Sequence, residues 1–554
     1  MDILIYSFLT NFIYYCAGQI ITRERKNDFH SLFKIYFTGV IALSVVSLFL
    51  NFFFKLSPNL NSLIYFLIVL IYIIKSRFLI DKKNLNFLLV SSFITFILLI
   101  YSNVNRPDAG LYHLPYISLI NETKIIFGAS NLHFRFGHTS IIQYLSGINL
   151  NILFKENGIV IPLASVVSFF YIYFFYDVWK VVEKKDKVDA SKFFSLFITV
   201  YITYKISRYS SFGNDAVAHL SFFYLISYVL KNTLDKLNIN TILLFCVFIF
   251  LNKVTLVFCF LIPFVLIIYK YKFNIKYILS LTISPASIIL LMWLLKNIFI
   301  SGCAIYPIKI TCNNNLAWTN QDQISKISIQ SEAWSKGWPE RNNKNISYEE
   351  FNKNFNWIQA WSKKHLNYII KTIFPFVLIL LISYLFLLNR NFVSFLNINK
   401  DLKIRILLSL TTCIFGTVCF FLVFPLYRYG YSLIISLLIL IFISLSFSKI
   451  QNKKTVDIFK FFLIICVCVF VFKQTNKIFF KERFDMWPNI YTLNLDKTTN
   501  ERLKIKIKDN FHYYLVTTGD GLCMYGKSPC TSYKLNKKIK HIKKFGYSFL
   551  IHKN

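Results

Sequence analysis

Apolar runs of about 17–22 residues recur along almost the whole chain, and each is long enough to cross the hydrocarbon core of a bilayer as a helix. Fourteen spans are predicted, at 2–20, 32–54, 60–75, 85–102, 157–177, 192–208, 215–231, 239–252, 254–270, 277–300, 367–388, 404–425, 430–447 and 457–473. The pattern predicts an all-α polytopic membrane protein. Its transmembrane module covers 1–473, and a small α+β domain follows over 474–554. The first run, "ILIYSFLTNFIYYCAGQII", has no small-residue cleavage site after a basic start, so it reads as a retained span and not as a signal peptide. No internal repeat is visible.

The polar segments between the runs alternate in charge. "RERKNDFH" (23–30), "KSRFLIDKK" (75–83), "KVVEKKDKVDASK" (180–192), "KNTLDK" (231–236), "KYKFNIK" (270–276), "NRNFVSFLNINKDLKIR" (389–405) and "SKIQNKK" (448–454) are basic, and they are every second loop. Lys and Arg collect in cytoplasmic loops, so these are expected to face the cytoplasm. The N-terminus and the segments 103–156, 301–366 and 474–554 are then expected on the other side. That would be the periplasmic face of a bacterial inner membrane, with both termini there.

Composition fits this picture. The 554 residues are 55% hydrophobic and only 16% charged, well below the quarter or so of a soluble domain. The formal net charge of +36 would suggest nucleic acid in a soluble protein. Here the cytoplasmic loops account for it, and no nucleic-acid partner is expected. Seven of the eleven cysteines (Cys16, Cys246, Cys259, Cys413, Cys419, Cys466 and Cys468) fall inside predicted spans. The other four form two close pairs, Cys303/Cys312 and Cys523/Cys530, both in external segments, where disulfides are expected.

Three external parts are predicted. In 103–156, "GLYHLPYISLINETKIIF" reads as an amphipathic helix lying along the membrane surface, and "HTSIIQYLSGINLNILF" as a second one or a re-entrant segment. The segment 301–366 holds Trp318, Trp334, Trp338, Trp357 and Trp361. Trp357 and Trp361 stand close to the next span and read as an interfacial belt. Trp334 and Trp338, in "EAWSKGWPE", are candidates for stacking on a sugar ring. The tail 474–554 has strand-like runs around a Gly-rich turn.

Ionisable groups at a membrane boundary are costly and mark function. Asp108, in "NRPDAGLYH", lies just beyond an apolar run, where a lipid-borne phosphate would also lie. It could take a proton from an acceptor hydroxyl, or it could cap a helix. His113 follows it. In "NLHFRFGHTS", Arg135 suits phosphate, and His133 and His138 suit acid–base or ligand roles. No Cys or carboxylate completes a zinc pattern there. "SRYSSFGNDAVAHLSFF" sets Asp215 and His219 four apart on one helix face, with Arg208 ending the preceding run. Lys253 and Arg428 are lone cations between apolar runs, either snorkelling or clamping a phosphate. The candidate catalytic set is Asp108, His113 and Asp215. His133, Arg135, His138, Arg208, His219, Lys253, Arg428, Trp334 and Trp338 are candidates for substrate and phosphate binding.

This arrangement resembles the GT-C superfamily of polytopic glycosyltransferases. The resemblance implies a first external loop of juxtamembrane helices, an acid near its start, and a polyprenyl-phosphate sugar as donor. Asp108 takes the acid's place. It follows the fourth run where the family's acid follows the first, and "RPDAG" has one carboxylate where the family has a pair. The stretches "YHLPYISLINETKIIFGASNLHFRFGHTS", "SGCAIYPIKITC" and "GDGLCMYGKSPCT" also resemble a glycosyltransferase-like group of bacterial multi-spanning membrane proteins.

The function implied is inverting transfer of a sugar to a cell-envelope glycan or lipid acceptor, with Mg or Mn as the cofactor such a site could take. An O-antigen polymerase or ligase type of enzyme, a lipid-linked glycan transporter and a non-enzymatic envelope scaffold are the other readings. Transport fits poorly, because the polar groups gather at one face and not at mid-membrane.

Overall fold

The computed structural model describes all residues except 1, 23–27, 77–80, 102–107, 210–212, 273, 388–398, 447–452, 481–502, 518–520 and 553–554. Much of the basic loops at 23–30, 75–83, 389–405 and 448–454 therefore lies outside the described residues, as does the side chain of Arg208.

The apolar runs fold as helices. The first four are α1 (Asp2–Thr22), α2 (Phe29–Phe53), α3 (Pro58–Ser76) and α4 (Lys82–Leu99). Their Ser and Thr residues donate back to the carbonyl four residues earlier, as Ser7 does to Ile3, Ser44 to Val40 and Thr95 to Ser91. Such bonds let polar residues sit in an apolar span with no demand on water. α1 and α2 press together at Gly18 and Gly39, where a Cβ would fall 1.9 Å from a carbonyl oxygen of the other helix.

The first external segment contains α5 (Leu114–Glu122) and α6 (Ile141–Ile148). Neither lies half-exposed on a surface. Every residue of α6, and Leu114 through Asn121 of α5, is buried. The expectation of amphipathic surface helices is corrected here: the polar faces are covered by protein.

The bundle continues through α7 (Ile161–Val182), α8 (Ala190–Tyr209), α9 (Asp215–Lys231), α10 (Ile239–Asn252), α11 (Leu261–Tyr271), α12 (Ile275–Thr282) and α13 (Pro285–Ser301). A lobe of short helices follows: α14 (Gln321–Ser335), α15 (Tyr348–Asn352) and α16 (Ile358–Trp361). The last long helices are α17 (Asn367–Leu387), α18 (Lys400–Val423), α19 (Tyr427–Ser446) and α20 (Lys453–Thr475).

Among the described residues, ten helices are long and apolar enough to cross a membrane, or eleven if α12 and α13, bent by 53°, form one span. The predicted spans at 192–208, 215–231 and 239–252 are helical but are not among the ten. α10 has 14 residues, α9 has 17 with Asp215 and His219 among them, and α8 carries Lys192, Lys205 and Arg208. Outward-facing Phe66, Ile74, Phe374, Leu385, Ile464 and Phe472 are strongly exposed, a band that water would not tolerate and lipid would cover.

The two ends of the bundle differ. At one end α2 and α9 meet α7 and α8 around Asp177, which is fully buried. Its Oδ1 accepts from Lys192 Nζ at 2.7 Å and lies 3.3 Å from His30 Nε2 and 3.5 Å from Lys231 Nζ. Ser195 Oγ donates to Oδ2 at 2.9 Å. Beside it, Asp401 pairs with Arg405, which donates to the carbonyls of Val229 and Leu230 at the end of α9. Described residues of four of the loops predicted to be basic, His30, Lys192, Lys231, Asp401 and Arg405, lie at this end.

The three predicted external parts gather at the other end and build one surface. The tail forms β1 (Leu503–Lys508), β2 (Phe511–Val516) and β3 (Cys530–Thr531) in one sheet. β4 (Ile539–Lys544) and β5 (Tyr547–His552) form a second. β1–β2 and β4–β5 are antiparallel, β2–β3 parallel. The α+β expectation is met here by strands only among described residues 503–552.

β5 adds to the first external segment. Phe127 N donates to Ser548 O at 3.0 Å, and Leu550 N to Phe127 O at 2.9 Å. Asn131 Nδ2 donates to both Leu550 O and Trp318 O, joining all three parts. Gly128 stands at this junction with φ +73°, and a Cβ there would meet Leu550 O at 2.4 Å. Both disulfides, Cys303–Cys312 and Cys523–Cys530, are formed, and they lie on this surface.

Candidate functional site

Asp108 opens a wide turn, Ala109–His113, that leads into α5. Its backbone is helical and its side chain makes no capping bond, so it does not serve as a cap. The carboxylate instead holds two guanidiniums. Arg135 Nη1 lies 3.0 Å from Oδ1, and Arg428 Nη1 lies 2.7 Å from Oδ2. Burial raises the Asp108 carboxyl, but Arg428 and Arg135 more than reverse this and keep it below the usual carboxylate value.

Each arginine is positioned by local structure. Arg135 lies in the short turn Phe134–His138, where its backbone N–H donates to His133 Nδ1 at 3.3 Å. Arg428 is the second residue of α19. Its carbonyl accepts from His219 Nε2 at 3.0 Å, and Ser432 Oγ lies 2.7 Å from His219 Nδ1. His219 therefore donates through Nε2 and accepts through Nδ1, and it anchors the turn that presents Arg428.

Asp215, at the first turn of α9, pairs with Lys253. Lys253 lies between α10 and the turn of 3₁₀ helix Val254–Phe260. The Tyr429 ring sits 4.5 Å from Lys253 Nζ and 5.3 Å from the Arg428 guanidinium carbon, so one aromatic face lies against both cations. Tyr112 lies in the same way under Arg135, at 5.2 Å.

His113 is buried behind Asp108. Gln143 Oε1 accepts from Ser140 N at 2.7 Å, which orients its amide. Gln143 Nε2 then donates to His113 Nδ1 at 3.1 Å, leaving the ring proton on Nε2. Burial pushes His113 down to about 4, so it is neutral near pH 7. Burial likewise takes His133 down to about 3 and His138 to about 4.

The site therefore brings together Asp108, His113, Arg135, Asp215, His219, Lys253 and Arg428. His133 and His138 lie beside it in supporting positions, stacked on Phe134 and against Tyr306. Trp338 does not offer a free ring. It is buried in the lobe, with Tyr348 stacked at 4.0 Å and Arg341 over it at 4.0 Å. Trp334 is exposed. Trp357 is buried, and Trp361 Nε1 donates to Pro425 O at 2.7 Å. Gln143, Tyr112, Tyr429 and Ser432 were not singled out in the sequence. Gln143 had a signal, the Ser140-x-x-Gln143 capping box.

The donor set does not suit a divalent cation. Guanidiniums occupy both Asp108 oxygens and Lys253 holds Asp215, so Mg or Mn would have to displace a cation at each carboxylate. Among the described residues, no three His, Cys, Asp or Glu side chains are grouped to hold a metal ion.

An apolar groove of about 360 Å³ runs between α17, α18 and α19. Ile369, Thr417, Phe421, Pro425, Tyr427 and Ile434 line it. Tyr427, which lines it, directly precedes Arg428 in the chain.

A family model described as "Domain of unknown function (DUF8201)" matches residues 1–435. The chain belongs to this family. The DUF8201 region contains every charged residue of the cluster, and the C-terminal strands lie beyond it. No curated protein and no solved structure matches the chain.

Proposed function

We propose that this DUF8201 protein is an inverting membrane glycosyltransferase that takes a sugar from a polyprenyl-phosphate donor. The single observation that carries the reading is the position of Asp108. It is a carboxylate held between two guanidiniums, one of them on α19, a helix that also lines an apolar groove. A charged cluster and an apolar groove that share a helix suit a ligand with an anionic head and a lipid tail.

In this reading Arg135 and Arg428 bind the donor phosphate. Asp108 takes the proton of the acceptor hydroxyl as its oxygen attacks the anomeric carbon. The bond from that carbon to the phosphate oxygen breaks, and its electron pair leaves with the phosphate, held by the two guanidiniums. Lys253, held by Asp215, stands beside them. The acceptor is a cell-envelope glycan or lipid. No step requires a divalent cation.

The same reading assigns a GT-C-like architecture with fourteen spans, α8, α9 and α10 included. It sets the site on the periplasmic side of a bacterial inner membrane. The gathering of residues from four of the basic loops at the opposite end supports that orientation. Crowding of Arg135, Arg428, His113 and His219 favours one second reading, a polymerase or ligase that also uses polyprenyl-linked glycans.

The test compares the surface glycan by mass spectrometry in a deletion strain carrying wild type or Asp108→Asn at matched expression. The transferase reading expects the deletion to lack one sugar and Asp108→Asn not to restore it. Shortening of the whole polymer, repaired by Asp108→Asn, would favour the polymerase reading.

A further inference from the structure

Among the described residues, the charged cluster holds three cations, Arg135, Lys253 and Arg428, against two carboxylates, Asp108 and Asp215. Both arginines meet the same carboxylate, one on each oxygen. Each spends one terminal nitrogen there. Among the described residues, the Nε of Arg135 and the Nε of Arg428 are both buried without an acceptor. Buried donors are almost always matched, and two orphaned N–H groups on two neighbouring guanidiniums mark donor capacity that the described residues do not fill.

A tetrahedral phosphate has the oxygens to fill it. It offers up to four acceptors, where the Asp108 carboxylate offers two, and Arg recognises phosphate through paired N–H donors. The Asp108 carboxylate lies where one edge of such a phosphate would lie. A base whose two oxygens are both held by guanidiniums is also a weak one. It gains basicity only when those cations turn to another anion.

We infer that Asp108 is an internal placeholder in a phosphate site formed by Arg135 and Arg428: an incoming phosphate takes over the two guanidiniums and releases the Asp108 carboxylate to act as a base. The inference rests on the proposed transferase reading for the last step, and on the arrangement of the arginines alone for the anion site. It makes donor binding the event that activates the base. A protein without donor then carries no reactive carboxylate on its outer face. The ligand chemistry is a phosphate monoester or diester, whether free or at the head of a prenyl chain.

The test is calorimetric titration of the full chain in detergent at low salt. Two probes are used, inorganic pyrophosphate and farnesyl phosphate. The proteins are wild type, Asp108→Asn, Asp108→Ser and Arg428→Gln, each first checked for a sharp thermal transition and a monodisperse profile. Removing the competing charge is expected to tighten binding about tenfold or more in both Asp108 variants. Arg428→Gln is expected to abolish binding of both probes. Tightening with both probes points to the phosphate itself as the ligand. Tightening with farnesyl phosphate alone points to a lipid headgroup, and both results support the placeholder.

Equal or weaker binding in both Asp108 variants would overturn it, since the carboxylate would then not compete with the anion. The outcome is separable from that of the transferase reading. Tighter binding with an unchanged glycan in the deletion strain keeps the anion site and removes the transferase. Unchanged binding with a lost sugar removes the placeholder and keeps the transferase.

Discussion

His113, His133 and His138 surround the Asp108 turn, and burial holds all three as neutral rings, at about 4, 3 and 4. Their pKa values are lower in the folded chain than the ordinary value near 6.5. Below that value the unfolded chain takes up protons that the folded chain does not, so stability is full above about pH 6.5 and falls as pH drops toward 4. For His113 alone the loss reaches about 3 kcal/mol at the low end. A thermal unfolding midpoint in detergent that declines steadily between pH 6.5 and 4 is the expected result. His113→Gln should make that decline shallower. Asp108 acts in a lower window: its contribution is complete above the usual carboxylate value and is lost as pH falls through its depressed one. At this scale much was legible. Ionisable groups are scarce in the apolar parts of this chain, so Asp108, Arg135, Asp215, Lys253 and Arg428 stood out. Their pairings did not. Asp108 and Arg428 are 320 residues apart, and no periodicity links them. Trp338 misled because residue type says nothing about which neighbour already covers a ring.

Helices were read correctly where the apolar period ran long, and their surroundings were not. α5 has the spacing of a surface helix, but the loop just ahead of β3 covers its polar side. Ser118 Oγ donates to Gly526 O at 2.6 Å, and Ser528 N donates to Glu122 Oε2 at 3.2 Å. The cover comes from about 400 residues away in the chain, beyond any local pattern. The joint between β5 and the first external segment turns on Gly128. Gly128→Ala would force a side chain into the left-handed region, at about 1–2 kcal/mol, and drive its Cβ against Leu550 O. The expected result is loss of the docked β5 with the bundle still folded. Limited proteolysis would read it as new cleavage after residue 500 and none within the helices. An unchanged digest would mean that the joint tolerates far more than its geometry allows.

Across the whole molecule, the alternation of basic and less basic loops separates, among the described residues, His30, Lys192, Lys231 and Arg405 from the Asp108 cluster at the other end of the bundle. The alternation could not reveal Asp177. An acid close to a basic loop reads as a solvated residue, and only the packing of α2, α7, α8 and α9 makes it a buried centre shared by Lys192 and Lys231, with His30 beside it. Asp177→Asn leaves Lys192 and Lys231 without their shared carboxylate, and breaking a buried pair in this way costs about 3–5 kcal/mol. A drop in the unfolding midpoint of the detergent-purified protein is expected. Replacing the cluster with packed apolar residues, Asp177→Leu with Lys192→Met, should recover part of it.

The joint made by β5 also has a consequence in time. A ribosome delivers this chain from its first helix onward, at about 5–20 residues each second. The strand that closes the outer surface follows every span. The helices can be inserted, and the two arginines and their carboxylate assembled, while Phe127 and Asn131 still wait for Ser548 and Leu550. Docking of β5 therefore comes after every span has been made. A nascent chain stalled before β5 would carry the full charged cluster while Phe127 and Asn131 still lack that strand.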